Sequence, residues 1–326
     1  MSANVLEVRD FSLSFRTGQG DVHPLRNISM IVPRGEIVGV AGESGSGKST
    51  LALAVMRLLA ANATITSGSI GFSGIELMDL SEEAMRALRG SRISMVFQDP
   101  MTSLNPVRSI GQQMADIQYR DGATSSQQKR KIAIAALQRV GIPDAASQLA
   151  RYPFQFSGGM RQRIAIAMSL LLKPELLIAD EVTTALDVTL EAQILHLLRG
   201  LKAEINGAIL FISHNLGAIA EICDRVVVLY AGEVVEAGLT SDIFARPQHP
   251  YTQALIACDP ARIAEVTRNL PVIPGDVPNL RHVPSACIFA PRCGLAVERC
   301  RIERPELRAV GHEHSARCHL VAGTTA

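Results

Sequence analysis

The sequence predicts an α/β fold: a parallel sheet with helices between its strands, an N-terminal antiparallel subdomain, a helical insert and a small, irregular, cysteine-containing C-terminal extension. Three observations predict it. Five continuous apolar runs bounded by turn residues read as buried strands. Helical patterns separate several of those runs, and strands alternating with helices imply a parallel sheet. Nine of the 16 prolines crowd between positions 247 and 305, which excludes long helices there.

Taken in order, the opening VLEVRDFSLSFRTGQGDVHPLRNISMIV reads as short, partly alternating strands around a Gly-rich turn, hence antiparallel. The buried strands follow: EIVGVAG (36–42), ISMVFQ (93–98), LLIAD (176–180), AILFIS (208–213) and RVVVLYAG (225–232). Residues 107–150 read as mostly helical with polar turns. Met160, Ile164, Met168 and Leu171 share one helical face, as do Leu190, Ile194, Leu197, Leu201 and Ile205. Composition shifts near 245. The expected division is a domain over 1–245, with a helical insert at about 105–165, followed by an extension over 246–326.

At 326 residues, 47% apolar and 19% charged, the chain readily supplies a folded core. A net charge of +1 argues against an electrostatic nucleic-acid binder. MSANVLEVRD lacks the layout of a signal peptide. The best apolar runs are broken by Arg57 and Lys173, short of the roughly 18 residues a membrane helix needs. The expectation is a cytosolic protein that reaches a membrane only by docking on another subunit.

GESGSGKST, residues 42–50, follows an expected strand and opens an expected helix, the context that gives the G-x-x-x-x-G-K-S/T pattern its meaning. Gly42, Glu43, Ser44, Gly45, Ser46, Gly47, Lys48, Ser49 and Thr50 would wrap phosphate oxygens with backbone N–H groups. Lys48 supplies a cation to the β- and γ-phosphates, and Ser49 a hydroxyl to Mg²⁺. In LLIADE, Asp180 emerges at the end of a buried strand, where a carboxylate serves Mg²⁺. Glu181 follows it, placed to orient or deprotonate a water.

Between the two lies FSGGMRQR, residues 156–163, a Ser-Gly-Gly turn at a helix start. With that motif in this order, residues 1–240 resemble the ATP-binding cassette (ABC) ATPases, a P-loop NTPase fold. The resemblance implies that Gln98, in VFQDP, touches Mg²⁺ and the attacking water and senses the membrane partner. It implies that Ser157, Gly158, Gly159 and Met160 cap the γ-phosphate held by a second, facing ATPase domain. The physics suits this, since N–H groups and a positive helix end complement an anion. Asp187, in TALD, matches the loop that crosses to the partner, and His214, in FISHN, the histidine that meets the γ-phosphate. An aromatic that stacks on adenine is usual upstream of the cradle. Phe15, in FSLSFRTG, is the candidate, with a core phenylalanine the equal alternative. One position departs from the family: Val182 stands where a proline usually follows the glutamate. Valine leaves that loop freer, and hydrolysis is expected to survive with looser placement of the water.

RPQHPYTQAL (246–255) and PSACIFAPRCGLAVERC (284–300) resemble the segment after the cassette in dipeptide, oligopeptide and nickel importer ATPases. His249 and Tyr251 read as packing residues. Cys287, Cys293, Cys300 and Cys318 cluster in the tail with five, six and 17 residues between them, without the C-x-x-C knuckle usual for zinc. Cytosolic cysteines in such a group point to metal. The resemblance implies a 4Fe–4S cluster, with Zn²⁺ or plain thiols as alternatives. Arg292, Arg299, Arg301 and Arg304 would offset the charge of a thiolate centre. Cys223 and Cys258 read as ordinary buried cysteines.

What the resemblance implies is the ATP-hydrolysing subunit of a bacterial peptide-type importer, peripheral on the cytoplasmic face of the inner membrane. Its partners would be two permease subunits, a second ATPase, homologous or identical, and an extracytoplasmic substrate-binding protein, with no nucleic acid. Two rivals stay open: a soluble ABC ATPase acting on ribosomes or DNA, and a redox sensor working through the tail cysteines. Copurifying nucleic acid would mark the first, and activity changed by Cys→Ser substitutions the second.

Overall fold

The computed structural model describes residues 3–99, 103–119, 124–184, 186–202, 205–259 and 270–321. In chain order its strands are β1 (Asn4–Thr17), β2 (Gly20–Pro33), β3 (Ile37–Ala41), β4 (Ala63–Phe72), β5 (Ile75–Glu76) and β6 (Ile93–Val96). They continue with β7 (Leu176–Asp180), β8 (Ala208–Ile212), β9 (Arg225–Tyr230), β10 (Glu233–Leu239), β11 (Arg308–Gly311) and β12 (His314–Ala316). Two compact units result: Met1–Asp79 with Phe211–Ala326, and Leu80–Leu210. The chain returns from the second to the first within β8.

In the first unit β1 pairs antiparallel with both β2 and β4, giving a four-stranded sheet of order β2-β1-β4-β5. Its strands alternate only in part because the register shifts along β1, and Asp10 and Asn27 adopt positive φ near two of those shifts. Both long strands still bury an apolar set, including Leu6, Phe11, Leu13, Leu25, Ile28 and Val32.

The same unit holds a second run of strands in the order β11-β12-β10-β9-β3. β3 and β9 are parallel, and every residue of β3 is buried, as a continuous apolar run requires. β10 turns back antiparallel on β9, and β12 adds to β10 through Glu236↔Ala316 and Ala237↔Ser315. The irregular extension therefore contributes two strands to the cassette's own sheet, an addition the sequence pattern did not announce. The proline argument holds for helices: the described extension contains only the short helices Pro250–Ala257 and Glu298–Ile302 and one 3-10 turn.

In the second unit β6 and β7 are parallel. Helices Ile110–Ile117, Ser126–Arg139 and Ala145–Gln148 occupy the stretch read as helical. Ser109 closes a capping box with Gln112, and Ser125 caps the second helix, so polar turn residues fix the starts of the first two. Helix Val188–Lys202 buries Ile194, Leu195, Leu198 and Leu201. That face sits slightly round from the one expected: Leu198 is buried where Leu197 is only half-buried.

Candidate functional site

The cradle sits in the first unit, between β3 and helix Lys48–Val55. Gly42 leaves β3 at φ +149°, and a Cβ there would lie 2.2 Å from the Leu229 carbonyl oxygen. Gly47 sits at φ +103°, where a Cβ would strike the Pro24 carbonyl at 2.6 Å. These two positions therefore admit only glycine. Lys48 is 4% exposed, and its Nζ donates to the carbonyls of Gly42 (2.7 Å) and Glu43 (3.0 Å), arching over the loop's start. Ser44, Gly45 and Ser49 are exposed, and Thr50 is half-buried.

The loop fits a phosphate chain. The Ser46 hydroxyl is buried and finds no hydrogen-bond partner among the described residues. A Cβ on Gly45 would meet nothing within 4 Å, and the helix begins at Gly47 with no side-chain cap. A buried hydroxyl without a partner costs about 1–3 kcal/mol, which an incoming phosphate oxygen can relieve. In the same unit Phe15 is half-buried on β1, opposite Val22 and Ala63, and His214 is exposed just past β8.

In the second unit Asp180 ends β7 and is 5% exposed. Glu181 follows at φ +49°, a left-handed backbone that is uncommon outside glycine and concentrates at functional turns. Its Oε2 accepts hydrogen bonds from Gln98 Nε2 (3.0 Å) and Thr184 Oγ1 (3.2 Å). Two residues read separately from the sequence are thus brought together, with the carboxylate held by neutral donors. β6 ends at Val96, so Gln98 lies in the loop beyond it and is exposed. Val182, in place of the family's proline, is buried at 1% exposure, and the turn is closed by Thr184 N–H donating to the Glu181 carbonyl (3.1 Å).

Helix Gly158–Leu170 is N-capped by Ser157, whose Oγ accepts from the Met160 N–H at 3.3 Å. The two glycines differ. A Cβ on Gly159 would press on Leu190 Cδ1 at 2.8 Å, so packing inside the unit explains it. A Cβ on Gly158 would meet nothing within 4 Å, so nothing in the described chain demands a glycine there. Asp187 caps helix Val188–Lys202, its Oδ1 accepting from the Leu190 N–H at 2.9 Å.

The tail cysteines depart from expectation. Cys300 and Cys318 are buried, Cys287 and Cys293 half-buried, and all are free thiols. Burial pushes the Cys287 thiol up to about 11, and raises Cys293 and Cys318 as well, with the neighbouring cysteines adding to each shift. No group of three or more His, Cys, Asp or Glu among the described residues is arranged to hold a metal ion. The four thiols as placed do not fit a 4Fe–4S cluster or a zinc site. Three of the four arginines expected to balance such a centre pair with carboxylates: Arg292 with Glu43, Arg299 with Glu303, and Arg304 with Glu233.

Those partners reveal what the motifs concealed. Glu233 and Glu236 of β10 are almost fully buried. Glu233 takes Arg26 (2.9 Å) and Arg304 (3.2 Å). Glu236 accepts from the N–H groups of Gln248 (2.7 Å) and His249 (2.9 Å) and from His314 Nε2 (2.7 Å). The extension is thereby fastened to β10 by charge-assisted hydrogen bonds. Tyr251, fully buried against Tyr230 and Phe289, reaches the cradle, its hydroxyl accepting from the Glu43 N–H at 2.9 Å. His249 and Tyr251 do pack, as read, but Tyr251 also touches the loop.

Comparison with known proteins agrees with this organisation. The ABC transporter family model matches residues 25–184, and the model for the oligopeptide/dipeptide transporter C-terminal region matches 235–300. A putative peptide import ATP-binding protein of Brucella melitensis is 47% identical over 326 residues, 96% of each chain. The probable D,D-dipeptide transport ATP-binding protein of Escherichia coli is 46% identical over 98% of this chain and 96% of its own. Among solved structures, a dimeric bacterial ABC transporter cassette, MJ0796, aligns with a TM-score of 0.65 at 26% identity, over 72% of this chain and 98% of its own. A second neighbour, cbiO1 from Clostridium perfringens, described as part of the ABC transporter complex cbiONQ, aligns with a TM-score of 0.64 at 30% identity, over 75% of this chain and 92% of its own. The chain belongs to the ABC transporter family, in the branch whose cassettes carry the oligopeptide/dipeptide transporter C-terminal region.

Proposed function

We propose that this chain is the ATP-hydrolysing subunit of a bacterial peptide-type ABC importer, powering uptake of peptides or related small solutes. One observation carries the reading: a phosphate loop whose buried Ser46 hydroxyl has no partner among the described residues lies in a chain matched over nearly its whole length by peptide import ATP-binding proteins. On this reading residues 1–245 are the nucleotide-binding domain, with its helical insert near 105–165, and 246–326 the importer-type extension. Residues 42–50 bind the phosphates, with Lys48 as the cation, and Phe15 stacks on adenine. Ser49, Asp180 and Gln98 serve Mg²⁺, which when bound neutralises charge on the phosphate oxygens. Glu181, held by Gln98 and Thr184, orients and deprotonates the attacking water, and His214 meets the γ-phosphate.

Ser157, Gly158, Gly159 and Met160 present their helix start to the ATP of a facing ATPase, identical or homologous, and Asp187 lies on the same crossing. The empty space beside Gly158 supports this, because a glycine unexplained by the described residues of its own chain fits a ligand brought by another. Two permease subunits and an extracytoplasmic binding protein complete the importer, and the chain sits peripherally on the cytoplasmic face of the inner membrane. No helix among the described residues is long and apolar enough to cross a membrane.

A cluster at Cys287, Cys293, Cys300 and Cys318 enters only through the sequence, since it would need this segment to gather four thiolates at one point. Iron and acid-labile sulfide in anaerobically purified protein would establish it, and stoichiometric zinc its alternative; neither leaves ATP and Mg²⁺ as the cofactors. The function is tested by assembling the protein with two permease subunits, a second ATPase and a binding protein. ATP turnover stimulated by a loaded binding protein is expected, and turnover indifferent to permease and binding protein rejects the importer.

A further inference from the structure

We infer that Arg292 and Tyr251, both in the extension, are positioning residues of the phosphate cradle, so that the extension sets how tightly the cassette holds nucleotide. This rests on the reading of residues 42–50 as the nucleotide loop. Glu43, the loop's second residue, is gripped on three sides. Its N–H donates to the Tyr251 hydroxyl (2.9 Å), its carbonyl accepts from Lys48 Nζ (3.0 Å), and its carboxylate takes both Arg292 Nη1 (2.8 Å) and Nη2 (3.1 Å). The first and third grips come from more than 200 residues away in sequence.

The grips are themselves rigid. Arg292 Nε donates to the Pro274 carbonyl (2.9 Å) and Nη2 to that of Ile273 (3.1 Å), while the guanidinium lies 5.7 Å from the Tyr230 ring centre. Tyr230, Tyr251 and Phe289 pack as three mutually contacting rings, with centroids 4.5–5.4 Å apart. Glu233 and Glu236 then tie the surrounding extension to β10. A planar, bidentate guanidinium fixes a carboxylate in orientation as well as distance.

The loop needs outside help to stay ordered. Gly42, Gly45 and Gly47 all adopt positive φ, and glycine loses the most backbone freedom when fixed. Binding that must first order such a loop is weaker, and anchors that order it beforehand strengthen it. A role confined to gluing the tail down makes a different prediction: loss of either grip would lower stability and leave the affinity of folded protein alone.

The test uses full-length protein and equilibrium binding of a fluorescent ATP analogue with Mg²⁺, beside thermal melting without nucleotide and hydrolysis at saturating ATP. Tyr251→Phe removes one hydroxyl and keeps the ring packing, so it folds even if Arg292→Lys does not. Both variants are expected to weaken nucleotide binding by about 3- to 10-fold, the worth of one or two hydrogen bonds. Turnover at saturation should stay within about twofold, because the loss falls on binding rather than on Glu181. Unchanged affinity in folded Tyr251→Phe overturns the inference, whatever its melting temperature or turnover. Failure of the wild type to bind would instead reject the nucleotide loop itself.

Discussion

Gln98 donates its side-chain amide to the Glu181 carboxylate, Nε2 to Oε2 at 3.0 Å, and Thr184 adds a second donor to the same oxygen. Both donors converge on one oxygen of the carboxylate and fix its orientation. The backbone of Glu181 is held in the left-handed region at its turn.

Glu181→Gln keeps an acceptor for both donors and removes the base. Turnover is expected to fall by about 10²- to 10⁴-fold with nucleotide affinity retained. Measured in the assembled importer, a wild type no faster than this variant would show that Val182, in the family's proline position, has disabled hydrolysis.

Gly158→Ala probes the signature helix. A methyl group there meets nothing in the described chain, and Ala is favoured over Gly within a helix, so stability should hold or rise slightly. ATP-driven pairing of two ATPase domains, followed by light scattering in a Glu181→Gln background, should weaken by tenfold or more. Gly159→Ala, pressed against Leu190, should instead lower stability by about 1–3 kcal/mol. If the two alanines behave alike, the distinction between a glycine kept for packing and one kept for a partner fails.

The contrast between those glycines marks what a sequence can convey. Motif glycines, the Lys48 loop and the buried strands were legible because they rest on local order: an apolar run, a turn, a helix start. The extension's strands were not. RAVG and HSA are only four and three residues long, too short to carry a readable pattern, and HSA forms because β10 offers it a partner. Nothing local to Glu233 and Glu236 announces their partners, because Arg304 and His314 lie more than 70 residues later in the chain. Arg292 was assigned to the cysteines by nearness in sequence, and space gave it to Glu43, 249 residues away.

Glu236→Ala should test that fastening. It strands two backbone N–H groups and His314 in a site where the carboxylate is 0% exposed. Removing one partner of a buried charged network costs about 3–5 kcal/mol. The denaturation midpoint should drop accordingly, and the extension should become the first site of proteolytic cleavage. Glu236→Gln, which keeps an acceptor, should cost clearly less. Equal losses in the two variants would mean that packing, not hydrogen bonding, holds the extension.

His249 gives the anchor a pH dependence. It caps helix Pro250–Ala257, Nδ1 accepting from the Tyr251 N–H at 3.0 Å. Burial pushes its pKa down from 6.5 to about 4, against the opposing pull of Glu236, while Arg317 acts through both a hydrogen bond that raises it and a charge that lowers it. The folded value lies below the unfolded one, so the unfolded chain holds more protons between about pH 4 and 6.5. The contribution is complete above that window and is lost as pH falls through it, by roughly 3 kcal/mol across the whole range. His249→Asn supplies a cap that does not titrate. Its stability should therefore fall less than the wild type's between pH 7 and pH 4.5, and parallel curves for the two proteins would assign the acid sensitivity to other groups.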